Sequence, residues 1–216
     1  MRPLGRHVEH DPRSRDYAVT VDEAAPLADV LHTFNGTPLN QGQLGSCTGN
    51  ALVGCLRTAP LYAAPVSKLT EKLAVKVYST ATTLDSVPGS YPPDDTGSSG
   101  LAACKAARKL GLIGSYTHAF SLQAALAALQ ASPVMVGVNW YDGFDTPDPT
   151  GLVAVSGSVR GGHEFALIGY TAEQGGRVHA VNSWGSGWGV KGRFQFSVAD
   201  LGRLLGEQGD VTVPHR

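Results

Sequence analysis

The chain has 216 residues, 42% of them hydrophobic, which is enough for one large domain or two closely packed lobes. A formal net charge of −1 leaves no overall basic field that would favour nucleic acid or an anionic membrane as a partner. No apolar run approaches the about 18 residues of a membrane-spanning helix.

The amino terminus is polar and charged and lacks the apolar middle of a secretion signal. The three cysteines are too few, and odd in number, for a disulfide framework. We therefore expect the protein in the cytoplasm as synthesised, or in a virion if a phage encodes it. No cofactor or metal is expected, and the oligomeric state is left open.

Residues 1–36 are predicted to form an extended arm, because prolines interrupt them and no helical period is present. Residues 37–216 are predicted to form the domain. Helical patterns come first in it, in four segments: 47–58, 67–82, 101–111 and 121–130. Short strand-like runs separated by glycines follow: 133–141, 163–170, 177–184 and 192–198. This order predicts an α+β fold with two lobes and a cleft between them.

The stretch LNQGQLGSCTGNAL, residues 39–52, places Cys47 where a glycine-rich turn becomes a helix. The positive end of a helix dipole and a nearby imidazolium both lower a thiol pKa, from about 8.5 to roughly 3.5–7.5. Cys47 is therefore a candidate nucleophile. A buried structural cysteine is the alternative, and position alone does not separate the two.

A histidine partner favours the nucleophile. In RGGHEFALIGY, two glycines precede His163 at the start of a predicted strand, and Gly162 leaves its imidazole accessible from a cleft. His179 is the alternative base. On a regular strand it would face away from Asn182, so it is predicted to be a surface or structural residue.

Three segments together resemble the papain family of cysteine peptidases, in its compact bacterial and phage-type form. They are NQGQLGSC, GGHEFALIGY and NSWGSGWGVKGRF, and they occur in the family's order between residues 40 and 194. The resemblance implies a two-lobe fold, with a helical N-terminal lobe, an antiparallel β-barrel-like C-terminal lobe and an active-site cleft between them.

The resemblance also implies residue roles. Cys47 would be the nucleophile, His163 the general base and later acid, and Asn182 the residue that orients the imidazole. Gln41 would donate to the oxyanion from its side chain, a position for which the register of NQG favours it over Gln43.

The same resemblance suggests that Trp184 shields the His163–Asn182 contact from water. Substrate backbone would be held by Gly97 and Ser98, which align loosely with the family's paired glycines, and by Gly162.

Two positions depart from the family pattern. Leu44 stands where many secreted members have a disulfide cysteine, so folding should need no oxidation. Glu164 follows the base, where alanine is common. Strand alternation points it away from His163, which predicts a structural salt bridge or a solvated carboxylate rather than a catalytic acid.

Other classes of function are weighed against this one. A zinc peptidase is excluded because Leu167 occupies the second histidine position of His-Glu-x-x-His. A papain-like acyltransferase or deamidase remains open, since a thioester can react with water or with an amine. A catalytically silent virion-structural or binding module is the second alternative, although such proteins typically lose a catalytic residue.

The substrate is expected to be a peptide or protein cleaved at a peptide or isopeptide bond, and a cell-wall peptide is one candidate. The acidic, aromatic segment 139–151 would favour an amine-bearing substrate if it borders the cleft; the alternative is a solvent loop with turn-forming aspartates.

The N-terminal arm lacks a helical apolar face, so little apolar area is available to cover a cleft. We therefore predict that the arm leaves the cleft open and that the protein is competent as made.

Overall fold

The fold is described from a computed structural model that covers residues 2–62 and 65–216; Met1, the first residue of the predicted arm, lies outside the described residues. Five α-helices are present in the described chain: α1 (Cys47–Leu56), α2 (Glu71–Ala81), α3 (Gly100–Lys109), α4 (Leu122–Ala131) and α5 (Val198–Gly206). The strands are β1 (Val30–Leu31), β2 (Ser115–Ala119), β3 (Val134–Tyr141), β4 (Val159–Thr171), β5 (Arg177–Val181), β6 (Arg193–Ser197) and β7 (Asp210–His215). No described helix has both the length and the apolar character needed to cross a membrane.

All seven strands belong to one antiparallel sheet. Its order is β2-β7-β3-β4-β5-β6, and the short β1 pairs with the far end of β4. The longest strand, β4, lies near the middle and pairs with β1, β3 and β5. The end of the arm therefore joins the sheet through residues 30–31, while residues 12–17 form a 3₁₀ turn.

Two hydrophobic cores correspond to the two lobes. One contains side chains of α1, α2 and α3, and the other contains the sheet with α4 and α5. The two closest helices, α1 and α2, meet at Gly49, where an added Cβ would lie 2.3 Å from the backbone oxygen of Ala74. Only glycine permits this approach of α1 to its neighbour.

Strand β4 contributes to both cores because its side chains alternate between the two faces of the sheet. Phe165 and Leu167 lie in the sheet-lobe core, whereas Ala166 and Ile168 lie in the helical-lobe core. The same alternation directs His163 and Glu164 to opposite faces. The first part of β4 is thus the place where the two lobes meet.

The structure confirms the α+β class. Helices α1, α2 and α3 come early and most of the sheet follows, although β2 precedes α4 and α5 lies between β6 and β7. The four predicted helices and four predicted strands are all present, with shifted ends. The predictions missed β1, β2, α5 and β7. Strand β7 is only six residues long and contains Pro214, so its sequence does not predict a strand. It is stabilised by pairing with β2 and β3, which are distant along the chain.

Candidate active site

Cys47 is the first residue of α1, as the sequence predicted. The N-cap residue, Ser46, makes no side-chain cap, so the first N–H groups of the helix remain available. The backbone N–H groups of Glu164, Gly5 and Thr48 lie near the Cys47 sulfur and act to lower the pKa of its thiol. Since Glu164 follows His163 on β4, the thiol lies beside the first part of that strand.

The turn before Cys47 is held by a carboxylate that the sequence analysis did not single out. Asp95 accepts two hydrogen bonds from the N–H of Gly45, at 2.9 and 3.1 Å, and one from the Tyr78 hydroxyl at 2.6 Å. The Tyr78 oxygen in turn accepts the N–H of Gly97 at 2.9 Å. This network ties the nucleophile turn, α2 and the segment around Gly97 to one another. Asp94 and Asp95 are adjacent in the sequence, but the contact of Asp95 with Gly45, 50 residues earlier, is visible only in the folded chain.

His163 and Asn182 are brought together as predicted. The His163 Nε2 donates to the Asn182 Oδ1 at 2.8 Å, and the same Oδ1 accepts the N–H of Ser183 at 2.7 Å. With Nε2 as the donor, the neutral ring carries its lone pair on Nδ1, which has no hydrogen-bond partner among the described residues. The imidazole is therefore oriented with its basic nitrogen free.

Two tryptophans enclose the imidazole. Trp184 stacks on His163 with ring centroids 4.8 Å apart and an interplanar angle of 29°. Trp140 meets the ring edge-on at 4.7 Å. The predicted shield residue thus lies against the histidine, and Trp140, which the sequence analysis left without a role, adds a second wall.

Gln41 is fixed beside the nucleophile turn. Its main-chain N–H donates to the carbonyl of Ser183 at 2.9 Å, and its side-chain oxygen accepts the Ser183 hydroxyl at 2.5 Å. The amide nitrogen donates one hydrogen to the carbonyl of Leu44 at 2.8 Å. An amide nitrogen carries two hydrogens, so the second remains for another acceptor.

The protonation states of the pair follow from burial. Cys47 and His163 are both fully buried. Desolvation raises the pKa of Cys47 to about 12 despite the three N–H groups that favour the thiolate. Desolvation also lowers the pKa of His163 to about 4, against the hydrogen bond with Asn182. In this structure the site therefore holds a neutral thiol and a neutral imidazole.

The N-terminal arm is what buries the site. The N–H groups of Gly5 and Arg6 donate to the carbonyl of Gly162 at 3.2 and 3.0 Å. On the other side, Ser98 donates to the carbonyl of Gly5 at 2.8 Å, and His7 donates to the carbonyl of Ser98 at 2.7 Å. The arm thus runs between Ser98 and Gly162, two of the residues predicted to hold substrate backbone.

The fit of the arm over the nucleophile turn is very close. A Cβ added at Gly5 would lie 2.0 Å from the carbonyl oxygen of Gly45, and one added at Gly97 would lie 2.5 Å from the carbonyl oxygen of Gly5. The prediction that the arm leaves the cleft open is wrong. Over the nucleophile turn the arm is held by main-chain hydrogen bonds and by Arg6. Apolar side chains of the arm also pack against the sheet-lobe core without a helical face: Leu4, Val19, Val21 and Leu27.

Glu164 points away from His163, as strand alternation predicted, but it is not a solvated carboxylate. It is fully buried, and neither of its carboxylate oxygens has a hydrogen-bond partner among the described residues. Burial raises its pKa well above the ordinary value, the neighbouring Asp210 adds to this shift, and Arg6 opposes it.

The aspartates of segment 139–151 have structural partners. Asp145 accepts the indole N–H of Trp140 at 2.9 Å and pairs with Arg160. Asp148 accepts the N–H groups of Thr150 and Leu152, closing a turn. These contacts favour the turn-forming interpretation of the segment.

The alternative base, His179, is also accounted for by local contacts. Its Nε2 lies 3.1 Å from the hydroxyl of Thr171, on the neighbouring strand.

The sequence model of papain family cysteine proteases matches residues 32–203, which is most of the chain. The chain belongs to the papain family of cysteine proteases. It is therefore a cysteine peptidase, a hydrolase that acts on peptide substrates. No sequence among curated proteins matches the chain at a significant level.

Solved structures show the same fold. Xylellain, a cysteine protease from Xylella fastidiosa, superposes with a TM-score of 0.77 at 18% identity, covering 99% of this chain and 96% of xylellain. Digestive procathepsin L 3 of Tenebrio molitor gives 0.66 at 16% identity, covering 100% and 76%. Bromelain from Ananas comosus in complex with the E64 inhibitor gives 0.55 at 16% identity, covering 84% and 94%.

Proposed function

We propose that this papain-family protein is an endopeptidase that hydrolyses peptide or isopeptide bonds with a Cys47–His163–Asn182 triad. The observation that carries the proposal is the 2.8 Å hydrogen bond from His163 Nε2 to Asn182, which leaves Nδ1 free on a ring beside the Cys47 helix.

The reaction follows from this arrangement. Once the cleft is open to solvent, the Cys47 proton passes to His163 Nδ1 and the thiolate attacks the substrate carbonyl. The Cys47 backbone N–H and the Gln41 side-chain amide stabilise the resulting oxyanion. His163 then protonates the leaving amine as the C–N bond breaks, which leaves a thioester on Cys47. Water, deprotonated by His163, hydrolyses the thioester and restores the thiol.

The arm makes the enzyme latent in this proposal. Residues 2–7 occupy the groups that would bind substrate backbone, and their burial of the site keeps Cys47 protonated. Displacement of the arm, by cleavage or by a competing chain, would admit water and allow the ion pair to form.

The test begins with labelling by E64, an inhibitor found bound to the similar bromelain structure. We expect the chain to be labelled at Cys47 once the arm is displaced, and we expect the C47A variant to remain unlabelled. Turnover of a peptide library should be abolished in C47A and H163A and remain measurable in N182A, because Asn182 orients the base without reacting.

Mass spectrometry of the products identifies the reaction class. Carboxylate and amine termini at a broken bond indicate hydrolysis. Products joined to an added amine, or glutamine converted to glutamate, would replace the proposal with an acyltransferase or a deamidase. Full activity in C47A would reject the triad.

A further inference from the structure

The side chain of Arg6 lies in a buried acidic pocket next to the Cys47 site. It is fully buried, and its guanidinium pairs with Asp210 through both Nε, at 3.0 Å, and Nη2. The same Nη2 donates to the backbone carbonyl of Gln208 at 2.7 Å. This pattern uses two nitrogens of the planar guanidinium, which a lysine ammonium cannot reproduce.

A second carboxyl group faces the same pocket. The position of a Cβ at residue 137 would be 2.7 Å from Arg6 Nε, 2.7 Å from Glu164 Oε2 and 2.8 Å from Asp210 Oδ1, so the three groups surround one point. Both Glu164 oxygens lack a hydrogen-bond partner among the described residues, although Glu164 is fully buried. Arg6 Nη1 likewise has no hydrogen-bond partner among the described residues, so the guanidinium and the Glu164 carboxyl both keep unused hydrogen-bonding capacity in this pocket, which is rare for buried groups.

Two glycines make room for the charged groups of the pocket. A Cβ at Gly137 would overlap all three charged groups, and a Cβ at Gly100 would lie 2.4 Å from Glu164 Oε1 and 3.1 Å from Asp210 Oδ2. These residues come from β3 and α3, so both lobes contribute to the pocket. A side chain at residue 137 would enter the space of the guanidinium, and one at residue 100 would displace the Glu164 carboxyl.

The main chain of Arg6 lies in the cleft as that of a bound peptide would. Its main-chain N–H donates to Gly162, and the preceding residue, Gly5, lies over Cys47. A substrate that replaced the arm would meet the same main-chain groups and the same pocket. Without Arg6, the pocket would hold two carboxyl groups and no cation from the arm.

We propose that Glu164 and Asp210 form an arginine-binding subsite, so that the enzyme selects peptides with arginine next to the residue that lies over Cys47. This inference rests on the proposed peptidase function for its biological meaning, but the binding of arginine is testable without catalysis.

The first experiment uses the full-length G5A/R6A variant, in which the arm lacks its arginine and its Cβ at residue 5 overlaps Gly45. Cleavage of a peptide library should show arginine enriched at one position next to the cleaved residue. Matched peptides with citrulline, a neutral group of the same shape, should have kcat/KM about 10- to 100-fold lower, the range for hydrogen bonds to charged groups.

Variants of the pocket are then compared in this background. D210N, which removes the carboxylate that pairs with Arg6, should reduce the arginine-to-citrulline ratio to within a few-fold of one, and G137A should do so by filling the pocket with both carboxyl groups intact. E164Q, at a carboxyl that faces the pocket without a hydrogen bond to Arg6, should lower the ratio less. E173Q, at an exposed carboxylate outside the cleft, is the matched control and should leave the ratio unchanged.

The second experiment measures binding alone. A synthetic peptide of residues 2–12 is titrated calorimetrically into the G5A/R6A/C47A chain, with arginine or citrulline at its position 6. We expect at least about 10-fold tighter binding with arginine, lost in D210N. A separate R6A variant of the full chain should label faster at Cys47 than the unchanged chain.

The outcomes separate the two proposals. Cleavage without an arginine preference would overturn the subsite and leave the peptidase intact. Arginine-dependent binding without cleavage would support the subsite and reject the peptidase. Equal binding of the two peptides, or unchanged labelling in R6A, would overturn the subsite whatever the activity.

Discussion

The arm that covers Cys47 should be released by a single added methyl group at Gly5. In the G5A variant the new Cβ would lie 2.0 Å from the carbonyl oxygen and 2.5 Å from the carbonyl carbon of Gly45. Both are backbone atoms of the nucleophile turn, which is itself held by Asp95, so neither can move aside as a flexible side chain would. The arm must therefore shift away from the turn.

The size of the effect follows from the contacts that such a shift would break. Gly5 accepts a hydrogen bond from Ser98 at 2.8 Å and donates one to Gly162 at 3.2 Å. At about 1 kcal/mol for each hydrogen bond, their loss destabilises the covered state by about 2 kcal/mol. Because a factor of ten corresponds to about 1.4 kcal/mol, the open fraction should rise about 30-fold.

The assay is the rate at which a thiol-directed epoxide labels Cys47, read from the intact mass under native conditions. If labelling requires opening of the arm, its rate is proportional to the open fraction, so G5A should label about 30-fold faster than the unchanged chain. The matched control is G206A, because a Cβ at Gly206 would meet nothing within 4 Å. Cys55 and Cys104 are buried and should remain unlabelled.

Two results would refute this reasoning. If G5A labels at the rate of the unchanged chain, the close contact with Gly45 does not hold the arm in place. If the unchanged chain labels as fast as its urea-unfolded form, the arm does not cover Cys47 in solution.

Three further outcomes are expected. At neutral pH the unchanged chain should show no more thiolate ultraviolet absorbance than C47A, because burial raises the Cys47 pKa to about 12, whereas G5A should show an added thiolate signal. In the G5A background, Q41A should lower kcat about 10²- to 10³-fold if Gln41 donates to the oxyanion; an unchanged kcat would remove it from that role. The His163 pKa, about 4 in the folded chain, lies below the unfolded value of 6.5. Neutral His163 therefore contributes about 3 kcal/mol to the free energy of unfolding above pH 6.5, and this contribution is lost as the pH falls to 4. Glu164 acts in the opposite direction, since its raised pKa gives stability below about 4.5 that is lost as the pH rises. Urea unfolding of H163Q and E164Q across this pH range separates the His163 contribution from the Glu164 contribution. If the stability of H163Q depends on pH as that of the unchanged chain does, the His163 prediction is wrong.

The segments that carry the proposed triad were predictable because each is local in sequence. A glycine-rich turn that becomes a helix specified the position of Cys47, and two glycines before an alternating strand specified that of His163. The motif spacing and order then led to the family. Strand alternation was also sufficient to direct Glu164 away from His163, because a period of two needs no knowledge of the partners of the strand.

The strands that were missed depend on pairing instead. Strand β7 lies between β2 and β3, so its conformation is stabilised by partners about 75 to 100 residues away in sequence. Its hydrophobic pattern alone is too short to separate a strand from the end of a helix. The Asp95–Tyr78 network that holds the nucleophile turn was missed for the same reason, since each residue taken alone is ordinary in its segment.

The sequence by itself was enough to predict the nucleophile, the base and the orienting residue of the proposed triad, because their chemistry is encoded in short motifs. Only the tertiary structure decided what covers them. Main-chain hydrogen bonds hold the arm over the nucleophile turn. Because every sequence has main-chain donors and acceptors, no sequence pattern could predict this contact. The pairing of Arg6 with Asp210 spans 204 positions, and Glu164 acquires its environment from both lobes. The charges of Arg6, Glu164 and Asp210 can be read from the sequence, but these side chains face one another only in the folded protein.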